Sequence, residues 1–160
     1  TPKPSSAASD VYKRQVLGSL SGSFLQLGGG RPDTVLAFIA AAVGRRQSQG
    51  KVFALSVLLA GVRVILGPKG AAVEALALVT VASLSPLFFR KLGFGSFVTY
   101  LGTCLLGYGA LLVALFLWFK GTSRSFFFPP AETIGASLFL TFTLCLAFSE
   151  LLAYGEERWQ

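Results

Sequence analysis

The sequence predicts an all-α integral membrane protein, an up-and-down helical bundle of four transmembrane helices preceded by a short N-terminal helix. Residues 92–119 contain no Asp, Glu, Lys or Arg. As a helix rising about 1.5 Å per residue, they outlast the roughly 30 Å hydrocarbon core of a bilayer. The 160-residue chain is 53% hydrophobic and only 13% charged, which is typical of the membrane class. The apolar runs are joined by a few residues each, so we expect consecutive helices to be antiparallel neighbours.

Residues 1–33 are predicted to be a non-native or disordered leader and loop, and residues 34–160 the transmembrane bundle. Residues 5–15 resemble the translation of a sequencing adapter. The sequence contains no Met, so we expect the chain to be a fragment of a longer reading frame. Residues 28–30 are three glycines followed closely by Pro32, which breaks any helix. Because they lack the spacing of a phosphate-binding loop, we interpret them as a hinge or loop.

An apolar run at residues 35–43 follows Asp33 and Thr34, either of which is a suitable N-cap. About ten residues are too few to cross a bilayer. The run is therefore half of a truncated span, a re-entrant or interfacial helix, or the second half of a broken helix. We predict a short first helix, and whether residues 16–44 hold part of an additional span stays open.

Four spans follow, near residues 50–67, 70–90, 95–119 and 131–154. Turn or interface residues separate them: Gly67-Pro68-Lys69-Gly70, Arg90-Lys91, Trp118-Phe119-Lys120 and Pro129-Pro130. Glycine and proline stop helices, whereas aromatic and basic residues anchor them at the headgroups.

Two stripes of small residues recur every four positions in the last two spans. The first comprises Gly95, Thr99, Thr103 and Gly107, and the second Thr133, Ser137, Thr141, Cys145 and Ser149. Small residues at this spacing let helices approach closely. We predict that the two helices pack along these stripes. A polar seam lining a substrate path is the alternative, but tight packing with hydroxyls bonded to their own helix is the commoner use.

Arg63 and Glu74 are the candidate intramembrane polar pair. Each lies within an apolar run, about one helical turn from the turn at residues 67–70. They are thus at similar depth on the same side of the membrane, where they can form an ion pair. A charge in a spanning segment indicates function by default. The competing interpretation is anchoring, with Arg63 reaching the headgroups and Glu74 in the favourable first turn of its helix.

The residue types that usually carry chemistry are scarce. The sequence has no His, which excludes histidine bases and histidine metal ligands in this segment. Cys104 and Cys145 stand alone and the carboxylates are scattered, without zinc or calcium spacing. We therefore expect no self-contained enzyme, no cofactor and no metal site. The formal charge is +7, but the basic residues lie singly or in pairs at the ends of apolar runs, so we expect no nucleic-acid partner.

The leading functional interpretation is a structural, accessory or assembly subunit that acts through helix contacts, with the lipid bilayer and other membrane subunits as partners. The alternative is a fragment, or half, of a secondary transporter for a small solute. Residues 75–113 resemble the half-repeat of drug/metabolite-type transporters, through Ser-Leu-Ser-Pro-Leu-Phe at 83–88 followed by Gly102 and Gly107. The intervening segment is too short for the helix which that family places there, so we do not adopt the resemblance.

The distribution of basic residues favours a C-terminus on the cytoplasmic, stromal or matrix side. The loops on that side hold six basic residues: Arg45, Arg46, Lys51, Arg90, Lys91 and Arg158. The opposite side holds four: Arg31, Lys69, Lys120 and Arg124. Positively charged loops are retained on the cytoplasmic side of membranes. The sequence does not indicate the organelle.

Overall fold

A computed structural model describes residues 30–67, 70–122 and 128–158, with the side chains of residues 156–158 excepted. In these parts of the chain the helices are α1 Thr34–Gly44, α2 Gln49–Leu66, α3 Ala71–Lys91, α4 Ser96–Gly121 and α5 Ala131–Arg158. Most of the predicted leader, residues 1–29, lies outside the described residues. So do Pro68, Lys69 and residues 123–127, which include Arg124.

The predicted fold class is confirmed. Helices α2 to α5 are each long and apolar enough to cross a bilayer. They agree with the four predicted spans, and α1 is the predicted short helix. The chain is a multi-pass integral membrane protein built as a helical bundle.

Local chemistry explains where the first helices begin. The Asp33 carboxylate caps α1, because its Oδ1 accepts a hydrogen bond from the Leu36 N–H at 2.9 Å. The Ser48 hydroxyl caps α2 by accepting from the Lys51 N–H at 3.4 Å. Gly70, at φ +105°, precedes α3 in a left-handed conformation that glycine adopts without steric cost.

The short helix α1 occupies the centre of the bundle. It contacts each of the four long helices, most extensively α5 and α4. Eight of its eleven residues are buried. The long helices instead direct large side chains such as Leu58, Ile65 and Leu105 outward, where they are half or more exposed. This distribution suits a bundle whose outer surface faces lipid rather than water.

The long helices follow one another around α1. Helix α2 packs on α3, α3 on α4, and α4 on α5, whereas α2 and α5 are connected mainly through α1. The Arg90 side chain at the end of α3 donates a hydrogen bond to the Gln47 carbonyl. The α1–α2 connection and the end of α3 therefore lie on the same side of the bundle.

Close packing of α1 against α4 depends on Gly107. A Cβ atom at this position would clash with Cδ1 of Leu36, a side chain with no exposed surface. We expect Gly107→Ala to lower the free energy of unfolding by about 1–3 kcal/mol, the usual cost of overpacking a core. Thermal unfolding in detergent, followed by circular dichroism, measures the change.

Gly109, two residues along the same helix, is the matched control. A Cβ atom there would meet nothing within 4 Å. Gly109→Ala should be neutral or stabilising by up to about 1 kcal/mol, because alanine is the better helix former. Equal melting temperatures for the two variants would contradict the packing of Leu36 on Gly107.

Candidate functional site

Helix α1 is only half as long as a span, so its N-terminus lies inside the bundle. Eleven residues rise about 17 Å, compared with about 27 Å for the 18 residues of α2. The two helices are joined at one side of the bundle by residues 45–48. Asp33 is therefore about 17 Å from that side, within the roughly 30 Å hydrocarbon core. Residues 31–33, which precede α1, are not helical at this depth.

Three charged side chains meet at this N-terminus. Arg63 of α2 donates to Glu74 of α3 through Nε at 2.9 Å and through Nη2 at 2.6 Å, both to Oε2. Its Nη1 donates to Oδ2 of Asp33 at 2.6 Å. The guanidinium thus joins the start of α1 to both helices of the α2–α3 hairpin.

The structure brings the two predicted charged residues together and adds a third. Sequence reasoning placed Arg63 and Glu74 at the same depth, and treated Asp33 only as a possible cap. The missed signal was the depth of Asp33, since a carboxylate at the start of a helix too short to span must lie within the bundle. A buried carboxylate there requires a cation, and Arg63 supplies it.

The cluster carries one positive and two negative charges. The side chains of Arg63, Asp33 and Glu74 are 25%, 11% and 15% exposed. Removing such groups from water is costly, and breaking one partner of a buried pair is more costly still. The arrangement is therefore a strong structural constraint, and its net charge of −1 is a property that a ligand can complement.

Two hydroxyl groups of α5 satisfy the non-helical backbone before α1. The Arg31 N–H donates to Oγ of Ser137, and the Asp33 N–H donates to Oγ1 of Thr141, each at 3.0 Å. Thr141 in turn donates to the Ser137 carbonyl at 2.7 Å. Irregular backbone at membrane depth needs such partners because hydrocarbon offers none.

Most of the remaining stripe residues lie in the interior of the bundle. On α4, Thr99, Thr103 and Gly107 face inward, whereas Gly95 is exposed at the start of the helix. On α5, Cys145 and Ser149 are buried and Thr133 is half-buried. Helix α1 contacts both α4 and α5 more extensively than these two helices contact each other. Buried residues of all three helices form one core cluster that includes Cys104 and Cys145. The sequence did not indicate that α1 packs against both of these helices.

A cavity of about 570 Å³ opens beside the charged cluster. Its walls come from α1, α2 and α4, with Phe148 of α5 closing one side. Among the described residues, the charged ones that line it are Arg31, Asp33, Arg63 and Glu74. The rest of its surface is largely apolar and includes Phe38, Tyr108 and Leu111. A concave, mainly apolar site of this size with a few converging polar groups is the usual form of a small-molecule site.

Within the described residues, no group of three or more His, Cys, Asp or Glu side chains is placed to hold a metal ion. No family model, curated protein or solved structure matches this chain. The fold and the site together define a multi-pass membrane protein with an ion-paired cavity at the end of a half-length helix.

The hydrogen bond from Asp33 to Thr141 can be tested with an isosteric change. Thr141→Val keeps the side-chain shape but leaves the Asp33 N–H without its acceptor. We expect a loss of about 1–3 kcal/mol of unfolding free energy, the cost of an unsatisfied buried donor. Denaturant or thermal unfolding in detergent measures it.

Thr143 is the matched control on the same helix. Its hydroxyl is on an exposed face and bonds the Phe139 carbonyl of its own helix. Thr143→Val should change stability by less than about 0.5 kcal/mol, as surface substitutions usually do. If Thr141→Val also left the free energy of unfolding unchanged, the hydrogen bond from α5 would not be stabilising residues 31–33.

Proposed function

We propose that this chain forms a solute-binding site in a membrane protein of the secondary-transporter type. The observation that carries the proposal is the half-length helix α1, which begins inside the bundle at a cavity containing Asp33, Arg63 and Glu74. Secondary transporters build substrate sites at the ends of helices that stop within the membrane.

The energetic cost of this arrangement supports binding over simple anchoring. Each ionised group within a span is unfavourable, and Arg63 does not extend to the headgroups alone but is held between two carboxylates. Apolar packing would stabilise the bundle equally well, because buried ion pairs rarely add net stability. A ligand that binds in the cavity explains better why three charged side chains lie beside it.

We propose that the site binds rather than converts its solute. Asp33 and Glu74 are both engaged with Arg63, so neither is placed as a free general base. The described cavity lining contains no Cys, Lys or His to act as a nucleophile or base. A non-enzymatic role therefore fits the groups that are present.

The second candidate is the structural or accessory subunit favoured by the sequence. It is supported by the outer surface of the bundle, which exposes large apolar side chains on all four long helices. A Cβ atom at Gly61 or Gly109 would meet open space, so another helix can approach closely at these positions. An accessory role does not require water in the cavity, whereas solute binding does. Hydration of the cavity therefore distinguishes the two candidate functions.

Water access to the cavity tests the proposal through cysteine labelling. Leu59 lines the cavity, whereas its neighbour Leu58 is 63% exposed on the outer surface. In a background where Cys104 and Cys145 are replaced by Ala, we expect Leu59→Cys to react with a water-soluble methanethiosulfonate reagent in permeabilised membranes. Thiolates form in water and not in lipid.

Leu58→Cys is the control at the same depth of the same helix. It should remain at least about tenfold slower to react, because a thiol facing hydrocarbon stays protonated. Labelling that is equally slow at both positions would mean that the cavity is dry. That result would contradict the solute-binding proposal and favour the accessory role.

A further inference from the structure

The charges lining the cavity identify a class of ligand. We propose that the cavity binds a zwitterion with an apolar body, an inference that rests on the proposed function. The cationic group of the ligand lies at Asp33 and Glu74, and its anionic group lies at Arg31.

The charged cluster that lines the cavity favours a cationic group. Two carboxylates share one guanidinium there, and all three residues line the cavity. Arg63 uses Oε2 of Glu74 for both of its hydrogen bonds to that residue, which leaves Oε1 available to a ligand donor. An excess carboxylate at membrane depth is stabilised by a nearby positive charge.

Arg31 supplies the opposite charge. Its side chain is exposed, lines the same cavity and forms no ion pair within the described chain. Its backbone is fixed by the bond to Ser137, so the base of the side chain is anchored. Because two residues of extended chain span at most about 7 Å, the Cα atoms of Arg31 and Asp33 are no farther apart than this. A guanidinium in this position is suited to a carboxylate or phosphate group.

The walls suit an apolar body. Phe38, Tyr108 and Phe148 bring aromatic rings to the cavity, and Leu111 and Leu115 add aliphatic surface. The volume of about 570 Å³ falls in the range of roughly 300–1,000 Å³ for small-molecule sites. Burial of apolar ligand surface then supplies affinity while the charged groups fix orientation.

Charge balance selects the zwitterion over singly charged relatives. The four charged residues in the described part of the lining sum to a formal charge of zero: Arg31 and Arg63 against Asp33 and Glu74. A monocation leaves Arg31 without an opposite ligand charge, and a monoanion leaves Asp33 and Glu74 without one. A molecule with both charges places an opposite charge beside each.

Three probes with the same phenylalkyl body test this inference. The purified full chain in lipid nanodiscs is titrated with L-phenylalanine, 2-phenylethylamine and 3-phenylpropionate, and binding is followed by calorimetry. We expect the zwitterion to bind about tenfold or more tightly than either relative, since one charge-assisted hydrogen bond is worth roughly that factor. Arg31→Gln should remove most of the preference for phenylalanine over the amine.

Lys51→Gln is the charge-matched control, because Lys51 is exposed at the start of α2 and does not line the cavity. It should leave all three affinities unchanged. Two results would contradict the zwitterion proposal: tighter binding of the amine or the acid, or an unchanged preference in Arg31→Gln. Either result would still be consistent with a solute-binding site. Failure of all three probes to bind would count against both the ligand class and the proposed function.

Discussion

The ion pair between Asp33 and Arg63 is the interaction on which the rest of the structure depends. Helix α1 begins inside the bundle, where its first backbone N–H groups need hydrogen-bond partners from the protein. Asp33 caps one of them through Oδ1 and binds Arg63 through Oδ2. Glu74 holds the same guanidinium from α3. A helix too short to span is thereby fixed in place by the two helices that follow it.

The small residues of α4 and α5 follow from the same constraint. Gly107 lets Leu36 approach α4, and Ser137 and Thr141 replace the hydrogen bonds that a continued helix would have made before Thr34. Because α1 fills only about half of the bundle length, the described residues leave space beside its N-terminus. That space is the cavity, and its charged residues are those that hold α1. Structural support and the proposed binding role thus use the same side chains.

The sequence predicted the long helices well because their signals are local. Charge-free runs, the Gly67–Gly70 turn and Arg90-Lys91 each mark a boundary within a few residues of the observed one. The approach of Arg63 and Glu74 was also foreseeable, since a short turn joins their helices. The position of α1 was not, because periodicity does not tell which neighbour a stripe faces. Asp33 lies 30 residues from Arg63, and only the tertiary fold brings them together.

A double-mutant cycle between Asp33 and Arg63 tests the central claim most directly. Asp33→Asn retains an effective helix cap and removes both the charge and the second acceptor oxygen that binds Arg63, and Arg63→Gln removes the guanidinium. Unfolding free energies of the wild type, both single variants and the double variant are measured in detergent. Contacting charged residues should give a coupling energy of about 1–3 kcal/mol. Additive effects, within about 0.5 kcal/mol, would show that the ion pair does not hold α1 in the bundle.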